Sequence, residues 1–315
     1  MSHLLVEPLA ASDEIFIARA DTFKFGEIEN FFCRHTGEPG SGRNPDDQYQ
    51  GLGYAARTVK GIVGIFMFSF LPSIVPGEHL CYLTGVVDPL YRRHRVGARL
   101  LTEALTAAKQ AVARPVFIAR LPDSLPDRGE EPITSFLGRF GFTEMDCDIH
   151  YGANLSGIQL SPEDSRFVVR NYKGADPLLN QAIVDLHRRA YRGQPGIADL
   201  TPELLAVRLA DPRCRYELLY YEKQLAGYAS FWIFTSDCYV DSLLAAQQYW
   251  GCGASDALAN LIARRALKDG CKTLSTLCRS KNRSTINLMQ RLGCRALKTT
   301  RIFWQASQRS DVSGS

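Results

Sequence analysis

No two cysteines in this 315-residue chain form a C-x-x-C pair, and none of the six histidines is spaced as a zinc partner. The nine cysteines are odd in number and scattered. A disulfide framework and a structural metal site are therefore not expected, and reduced thiols in a cytoplasmic protein are. Long apolar runs are absent too. Stretches such as Gly61 to Phe70 fall well short of the roughly 20 residues a spanning helix needs, and the first residues already carry Glu7, so neither a membrane segment nor a secretory leader is expected. Charge of one sign is scarce, with 37 Lys+Arg against 33 Asp+Glu.

That balance hides an asymmetry. Residues 1–157 hold 15 Lys+Arg and 19 Asp+Glu, a net of −4, which leaves 22 and 14, a net of +8, for residues 158–315. A positive second half suits a polyanionic partner. The basic residues are dispersed and come with no zinc finger or aromatic RNA-binding signature, so a small phosphorylated cofactor is expected in place of nucleic acid.

The chain also repeats itself. In the first half Tyr54 to Thr58 leads through Lys60-Gly61 into Ile62 to Phe68, a hairpin pattern. In the second, Tyr216 to Tyr221 leads through Glu222-Lys223 into Leu225 to Phe234. Each hairpin is followed by a strand (Leu80 to Val87; Tyr239 to Leu244), a turn and an amphipathic helix carrying Val96, Leu100, Leu101, Ala104 and Leu105, or Leu258, Leu261, Ile262 and Leu267. A short strand (Pro115 to Ala119; Lys272 to Cys278) and a last helix complete each copy. Upstream, Pro177 to Arg192 is helical in pattern and Thr201-Pro202 opens a second helix; Asp13 to Arg34 can be helical, while Thr36 to Asn44 is loop. The order is α+β, with domains over 1–150 and 166–306, a linker at 151–165 and a flexible tail at 307–315.

Val87-Asp-Pro-Leu-Tyr-Arg-Arg-His-Arg-Val-Gly-Ala-Arg-Leu-Leu101 resembles motif A of the GCN5-related N-acetyltransferases (GNATs), V-x-P-x-x-[QR]-x-x-G-x-[GA]. Gln248-Tyr-Trp-Gly251-Cys-Gly253-Ala254 gives its core in the second half, and Asn282 to Cys294 resembles the family's motif B, N-x-x-A-I-x-L-Y-x-x-L-G-F, whose end is matched again at Ser135 to Phe142. The resemblance implies two tandem GNAT-like domains, each a mixed, mostly antiparallel sheet flanked by helices. It also implies acetyl-CoA or another acyl-CoA as co-substrate and a small-molecule or peptide amine as acceptor.

The chemistry can be argued beside it. A pyrophosphate needs several NH donors and close backbone approach, which a glycine-bearing turn at a helix N-terminus supplies. Gly251 and Gly253 offer that cradle, with Gln248, Tyr249, Trp250, Cys252 and Ala254 around them. In the first half Val87, Arg92, Arg93, Val96, Gly97 and Ala98 occupy the motif, but Arg95 stands where Gly251 is, so any grip there is by side chain. A dinucleotide fingerprint fails, because the third glycine is Asp256 and the following strand ends in Cys278 with no acidic residue for a ribose.

Acyl transfer to an amine needs a base, oxyanion donors and an acid for the thiolate. The family's base is often a Glu on the strand before motif A. Counting back, Asp237, Tyr239 and Asp241 share a face there; Asp241 is the expected base, with a plain strand carboxylate as the alternative. The first half has Leu83 and Gly85 in the same strand. By the resemblance, backbone NH groups of Leu243, Leu244 and Ala245 polarise the thioester and Asn282 contacts the cofactor. Its counterpart in the first half is Glu130, and the tyrosine that protonates the thiolate falls at Met289 and Leu137. Water, Tyr239 or Tyr249 must then substitute. His187 reads as an exposed helical residue, with contact to the acceptor as the alternative, and Trp304 and Phe303 as core. Missing tyrosines keep a second reading open, a non-catalytic acyl-CoA-binding or interaction module.

Overall fold

The computed structural model describes residues 4–8, 51–59, 61–122, 133–158, 160–162, 164–192, 194 and 196–306. The expected helix at Asp13 to Arg34, the loop at Thr36 to Asn44, Glu130 and the tail at 307–315 lie outside them. Two compact units result: one of Met1–Ala119, Pro195–Ala198 and Trp304–Ser315, the other of Arg120–Gln194 and Asp199–Phe303.

In the first unit, β1 (Leu5–Pro8), β2 (Gly51–Thr58), β3 (Gly61–Pro72) and β4 (His79–Val87) form an antiparallel meander, and α1 (Val96–Ala111) carries the chain over to β5 (Pro115–Pro122), which pairs parallel with β4. Helix α1 buries Val96, Leu100, Leu101, Ala104, Leu105 and Ala108, the stripe its spacing predicts. Burying each large aliphatic side chain of that stripe is worth roughly 1.5–3 kcal/mol.

The second unit holds α2 (Ile133–Arg139), β6 (Thr143–Asn154), β7 (Phe167–Tyr172), α3 (Pro177–Ala190), α4 (Pro202–Ala210), β8 (Cys214–Tyr221), β9 (Gln224–Phe234), β10 (Asp237–Ala245), α5 (Ala254–Lys268), β11 (Thr273–Arg279), α6 (Arg283–Arg291) and β12 (Arg295–Ala306). Its sheet runs β12-β6-β11-β10-β9-β8-β7, with β10–β11 parallel and the pairs from β7 to β10, like β11–β6, antiparallel. Pro177 starts α3 and the capping side chain of Thr201 with Pro202 starts α4 where the sequence signals them, and Asp176 adds a cap to α3 that the sequence pattern alone does not single out. The β8–β9 turn uses no glycine: Glu222 and Lys223 both take left-handed conformations.

Residues 151–154, expected in a linker, continue β6, which pairs with β11 from Thr273↔Asn154 to Arg279↔Asp148. The strand that closes the first sequence repeat therefore belongs to the second unit. Among the described residues, no helix is long and apolar enough to cross a membrane and no His/Cys/Asp/Glu group could hold a metal.

Candidate active site

Strands β10 and β11 pair from Asp237↔Thr273 to Val240↔Thr276 and then separate, although β10 continues to Ala245 and β11 to Arg279. Two local devices mark the point of divergence. A bulge between Val240 and Ser242 leaves Asp241 without a partner on β9, and the Thr276 hydroxyl donates to the Val240 carbonyl at 2.8 Å. The edge of β10 from Asp241 to Ala245 thus faces an opening wedge; on its other side Leu243 and Leu244 stay paired with Ala229 and Tyr228 of β9, and only the backbone groups turned away from β9 can serve a ligand carbonyl.

Beyond Ala245 the chain makes one 3-10 turn, Gln247–Tyr249, and enters α5 through Gly251 (φ 79°) and Gly253 (φ 90°). A Cβ at Gly251 would meet no atom within 4 Å, and one at Gly253 only Arg166 Nη2 at 3.7 Å and Asp164 Oδ2 at 3.9 Å. The space over the turn is open. Gly253 is the N-cap of α5 and no side chain caps it, so the first NH groups of the helix have no side-chain partner. Asp256 in that first turn is held by Arg291 at 2.7 Å. Trp250, 63% exposed, donates from Nε1 to the Ala245 carbonyl at 2.9 Å. Gln248 and Cys252 are exposed and Ala254 is buried. Tyr249 is buried and donates to Gln224 Oε1 at 3.0 Å, so it is no donor to a thiolate.

The first unit has the same backbone with different residues. Its parallel register ends at Leu83↔Ala119 while β4 runs on to Val87; Arg92 Nε donates to the Val87 carbonyl at 3.0 Å, as Trp250 does to Ala245. Arg93 (φ 64°) and Arg95 (φ 62°) take the two left-handed positions, and Arg95 is the N-cap of α1. The buried stripe of α1 falls on Ala254, Leu258, Ala259, Ile262, Ala263 and Ala266 of α5. Arg95 therefore matches Gly253, Arg93 matches Gly251 and Arg92 matches Trp250, two residues away from the alignment that set Arg95 against Gly251. Val96, Gly97 and Ala98 lie within the first turn of α1. The motif's small-residue spacing fits both alignments, and only the phase of helix burial distinguishes them. Leu83 matches Asp241, and the β3–β4 ladder runs from Gly64↔Val87 to Pro72↔His79 without a bulge.

Asp241 is the centre of a polar cluster in the second unit. Its Oδ2 accepts from Arg208 Nη1 on α4 at 2.7 Å, from the Ser230 hydroxyl on β9 at 3.2 Å and from the Ser242 hydroxyl at 3.3 Å, with its side chain 24% exposed. Burial disfavours the charge, but Arg208 and the Ser230 hydroxyl outweigh it and hold the carboxyl below its ordinary value. It stays ionised at neutral pH and is a weak base. Burial and the neighbouring Asp241 charge push the Tyr239 phenol up, so it stays protonated. Asp237 is engaged elsewhere, accepting from the Thr273 hydroxyl.

His187 differs from expectation: it is 8% exposed, and its Nδ1 lies 2.9 Å from the hydroxyl of Tyr228, which is fully buried. The helix register turns it inward with Ile183, Val184 and Leu186. Arg208, Ser230 and Tyr228 were not anticipated; the one signal was a serine within the apolar run Leu225 to Phe234. Asn282 caps α6, its Oδ1 accepting from the Thr285 NH at 3.3 Å and the Ser284 hydroxyl at 2.9 Å. Met289 and Leu137 are buried, as is Phe303.

Residues 180–294 match the model of the acetyltransferase (GNAT) family. Across nearly the whole chain the fold is similar to a tandem GNAT protein from the clavulanic acid biosynthesis pathway, solved without acetyl-CoA (15% identity, TM-score 0.68, 98% of this chain and 100% of that one). It is similar also to a GCN5-related N-acetyltransferase from Sphaerobacter thermophilus (12%, 0.67, 96% and 95%). A GCN5-related glucosamine N-acetyltransferase region of a fungal multi-domain GH3 beta-N-acetylglucosaminidase gives 12% and 0.72 over 97% of this chain and 38% of that one. No curated protein sequence matches the chain.

Proposed function

We propose that this chain, tandem GNAT in fold with a GNAT family match at residues 180–294, transfers an acetyl or other acyl group from coenzyme A to an amine of a small molecule or peptide. Catalysis is assigned to the domain of residues 166–306. The observation that carries this reading is the wedge beside the Asp241 bulge, leading onto an uncapped glycine turn in the second unit, where the matching positions of the first unit are Leu83 in an unbulged β3–β4 ladder and the arginines Arg93 and Arg95.

In this reading the NH groups of Gly251, Gly253 and Ala254 and the α5 N-terminus take the pyrophosphate, Cys252 donates its NH to the Tyr249 carbonyl within the turn, and Gln248, Tyr249 and Trp250 shape it. Asn282 offers its amide Nδ2, its Oδ1 being used by the cap. Leu243, Leu244 and Ala245 polarise the thioester carbonyl. Asp241, too acidic to keep an ammonium proton, takes it directly or through a water and passes it on; the amine then forms the C–N bond as the C–S bond breaks. The proton that the nitrogen sheds on becoming an amide goes, through water, to the departing thiolate, and Tyr239, which keeps its own proton, donates it a hydrogen bond. The first unit keeps the wedge but offers the cofactor arginine side chains, Arg92 and Arg93, where the second offers glycine backbone, and it is assigned no catalytic role. Eight described cysteines are free, and burial pushes the thiols of Cys81, Cys214 and Cys278 up to about 12, which suits a cytoplasmic protein.

Calorimetric titration with acetyl-CoA, followed by measurement of free thiol released with a panel of amines, tests the assignment. Binding with no thiol from any amine would favour a non-catalytic acyl-CoA-binding module, the reading that apolar Met289 and Leu137 support.

A further inference from the structure

A proton taken from the acceptor needs a destination, because Asp241 is held acidic by Arg208. The side chains behind it form a line. The Ser242 hydroxyl touches Asp241 Oδ2 at 3.3 Å, and it lies in hydrogen-bond reach of the Tyr228 hydroxyl, which is 2.9 Å from His187 Nδ1. Geometry permits this because the bulge lets Asp241 and Ser242 follow one another while Ser242 stays opposite Ser230 on β9, two residues from Tyr228. All three of Ser242, Tyr228 and His187 are buried. An imidazole in such a place carries a desolvation penalty that a merely structural position could avoid with an apolar residue.

We propose that His187, reached through Ser242 and Tyr228, receives the proton that the acceptor ammonium loses, a role that rests on the acyltransferase reading above. The ammonium N–H bond breaks and its proton passes, directly or through water, to the Asp241 carboxylate. The carboxyl hands it to Ser242 as that hydroxyl turns from Asp241 towards Tyr228. Tyr228 gains the Ser242 proton and gives its own to Nδ1 of neutral His187. The net change is ammonium to amine and imidazole to imidazolium, with Asp241 again a carboxylate and no electrons transferred. Loss of that proton from His187 to solvent resets the line.

The groups facing His187 fit this. Tyr228 from β9 carries no charge, since burial keeps its phenol protonated, and it is stacked on Tyr216 from β8. Tyr191, the C-cap of the same helix, packs its ring 4.8 Å from the imidazole, and burial and Asp241 keep its phenol protonated too. Asp241 from β10, balanced by Arg208 from α4, supplies the charge that favours imidazolium when a proton arrives.

Two measurements on the full chain test it. Nitrogen-15 spectra, with His187 assigned by comparison with His187→Gln, should show the resting ring protonated on Nε2 and bare on Nδ1; a proton on Nδ1 would overturn the relay whatever the protein catalyses. With an amine that releases thiol, kcat/KM for wild type should fall on the acid side as His187 is protonated. His187→Gln and Tyr228→Phe should both lower kcat about 10²-fold near neutrality, flatten that acid limb and leave the calorimetric affinity for acetyl-CoA unchanged. Tyr228→Phe loses only a hydroxyl and serves if the histidine variant does not fold. A loss uniform at every pH, or none, would refute the role. Absence of thiol release by wild type with every amine would count against the acyltransferase reading instead, with the resting tautomer still deciding the inference.

Discussion

Gly253→Ala separates two reasons for a glycine at the entrance to α5. Gly253 has φ 90° and ψ 0°, where an L-residue is strained by about 1–2 kcal/mol, offset in part by the lower unfolded-state entropy of alanine, about 0.4–1 kcal/mol. Its new methyl would meet nothing closer than 3.7 Å, so no clash adds to this. The expected loss is about 1 kcal/mol, or about 2–4 °C of melting temperature for a unit of this size. Gly270 at the other end of the same helix has φ 81° and equally open surroundings, and Gly270→Ala should lose a similar amount. Cofactor affinity distinguishes them. If a pyrophosphate approaches the backbone at Gly253, the methyl displaces at least one charge-assisted NH contact, worth about 1.5–3 kcal/mol, and Kd for coenzyme A should rise about 10–100-fold. Scanning calorimetry and isothermal titration on both variants give the four numbers. Equal losses of stability with unchanged Kd in both would show that Gly253 serves only the bend, and the cofactor site would have to be sought elsewhere.

Asp241→Asn should lower kcat by roughly 10²–10⁴ with little change in acetyl-CoA affinity, and the loss should shrink as pH approaches the acceptor's own pKa, around 9–10 for a primary amine, since bulk deprotonation then removes the need for the carboxylate. A loss equal at every pH would mark it as a purely orienting group. Asp241 and Asp211 both titrate below the ordinary 3.8 in the folded chain, Asp211 through its hydrogen bonds to Arg213. Their stabilising contribution is therefore complete above about pH 4 and is lost as pH falls through the folded values, so Asp211→Asn should flatten the acid limb of a stability–pH curve below pH 4. Arg95→Gly in the first unit should leave stability unchanged or raise it by up to about 1 kcal/mol in denaturant titration, because it relieves a left-handed arginine.

What the sequence made legible was local. The amphipathic stripe of α1, Pro177 at the start of α3, the Thr201 cap of α4 and the hairpin alternation depend on neighbours within a few positions, and each lies where the local pattern sets it. What failed depends on distant partners. Nothing in Thr143 to Asn154 names β11 as its neighbour, so the local pattern does not show that this strand runs past residue 150. Arg208 meets Asp241 only after α4 packs, and its charge turns an expected base into a weak one. His187 on a helix with a mixed pattern gave no sign of its inward face, because the residue that satisfies it, Tyr228, lies on another element.

The two units together constrain what the glycines of the second are for. Arg93 and Arg95 hold the same left-handed pair of positions as Gly251 and Gly253, and Arg92 closes the first turn onto Val87 as Trp250 closes the second onto Ala245. The surrounding fold therefore enforces the turn even on residues that resist it, at about 1–2 kcal/mol each. Bending cannot then be the reason for glycine in the second unit, since arginine bends as well. What glycine alone adds is access: no Cβ stands over the turn that opens α5, where the Arg166 and Asp164 side chains come no closer than 3.7 Å to the Cβ position of Gly253. The same unit alone has the bulge that presents Asp241 and Ser242 beside the wedge. Backbone access and a bulged carboxylate are needed together by a reaction that binds a phosphorylated thioester and moves a proton beside it; neither is needed by a sheet that only has to fold.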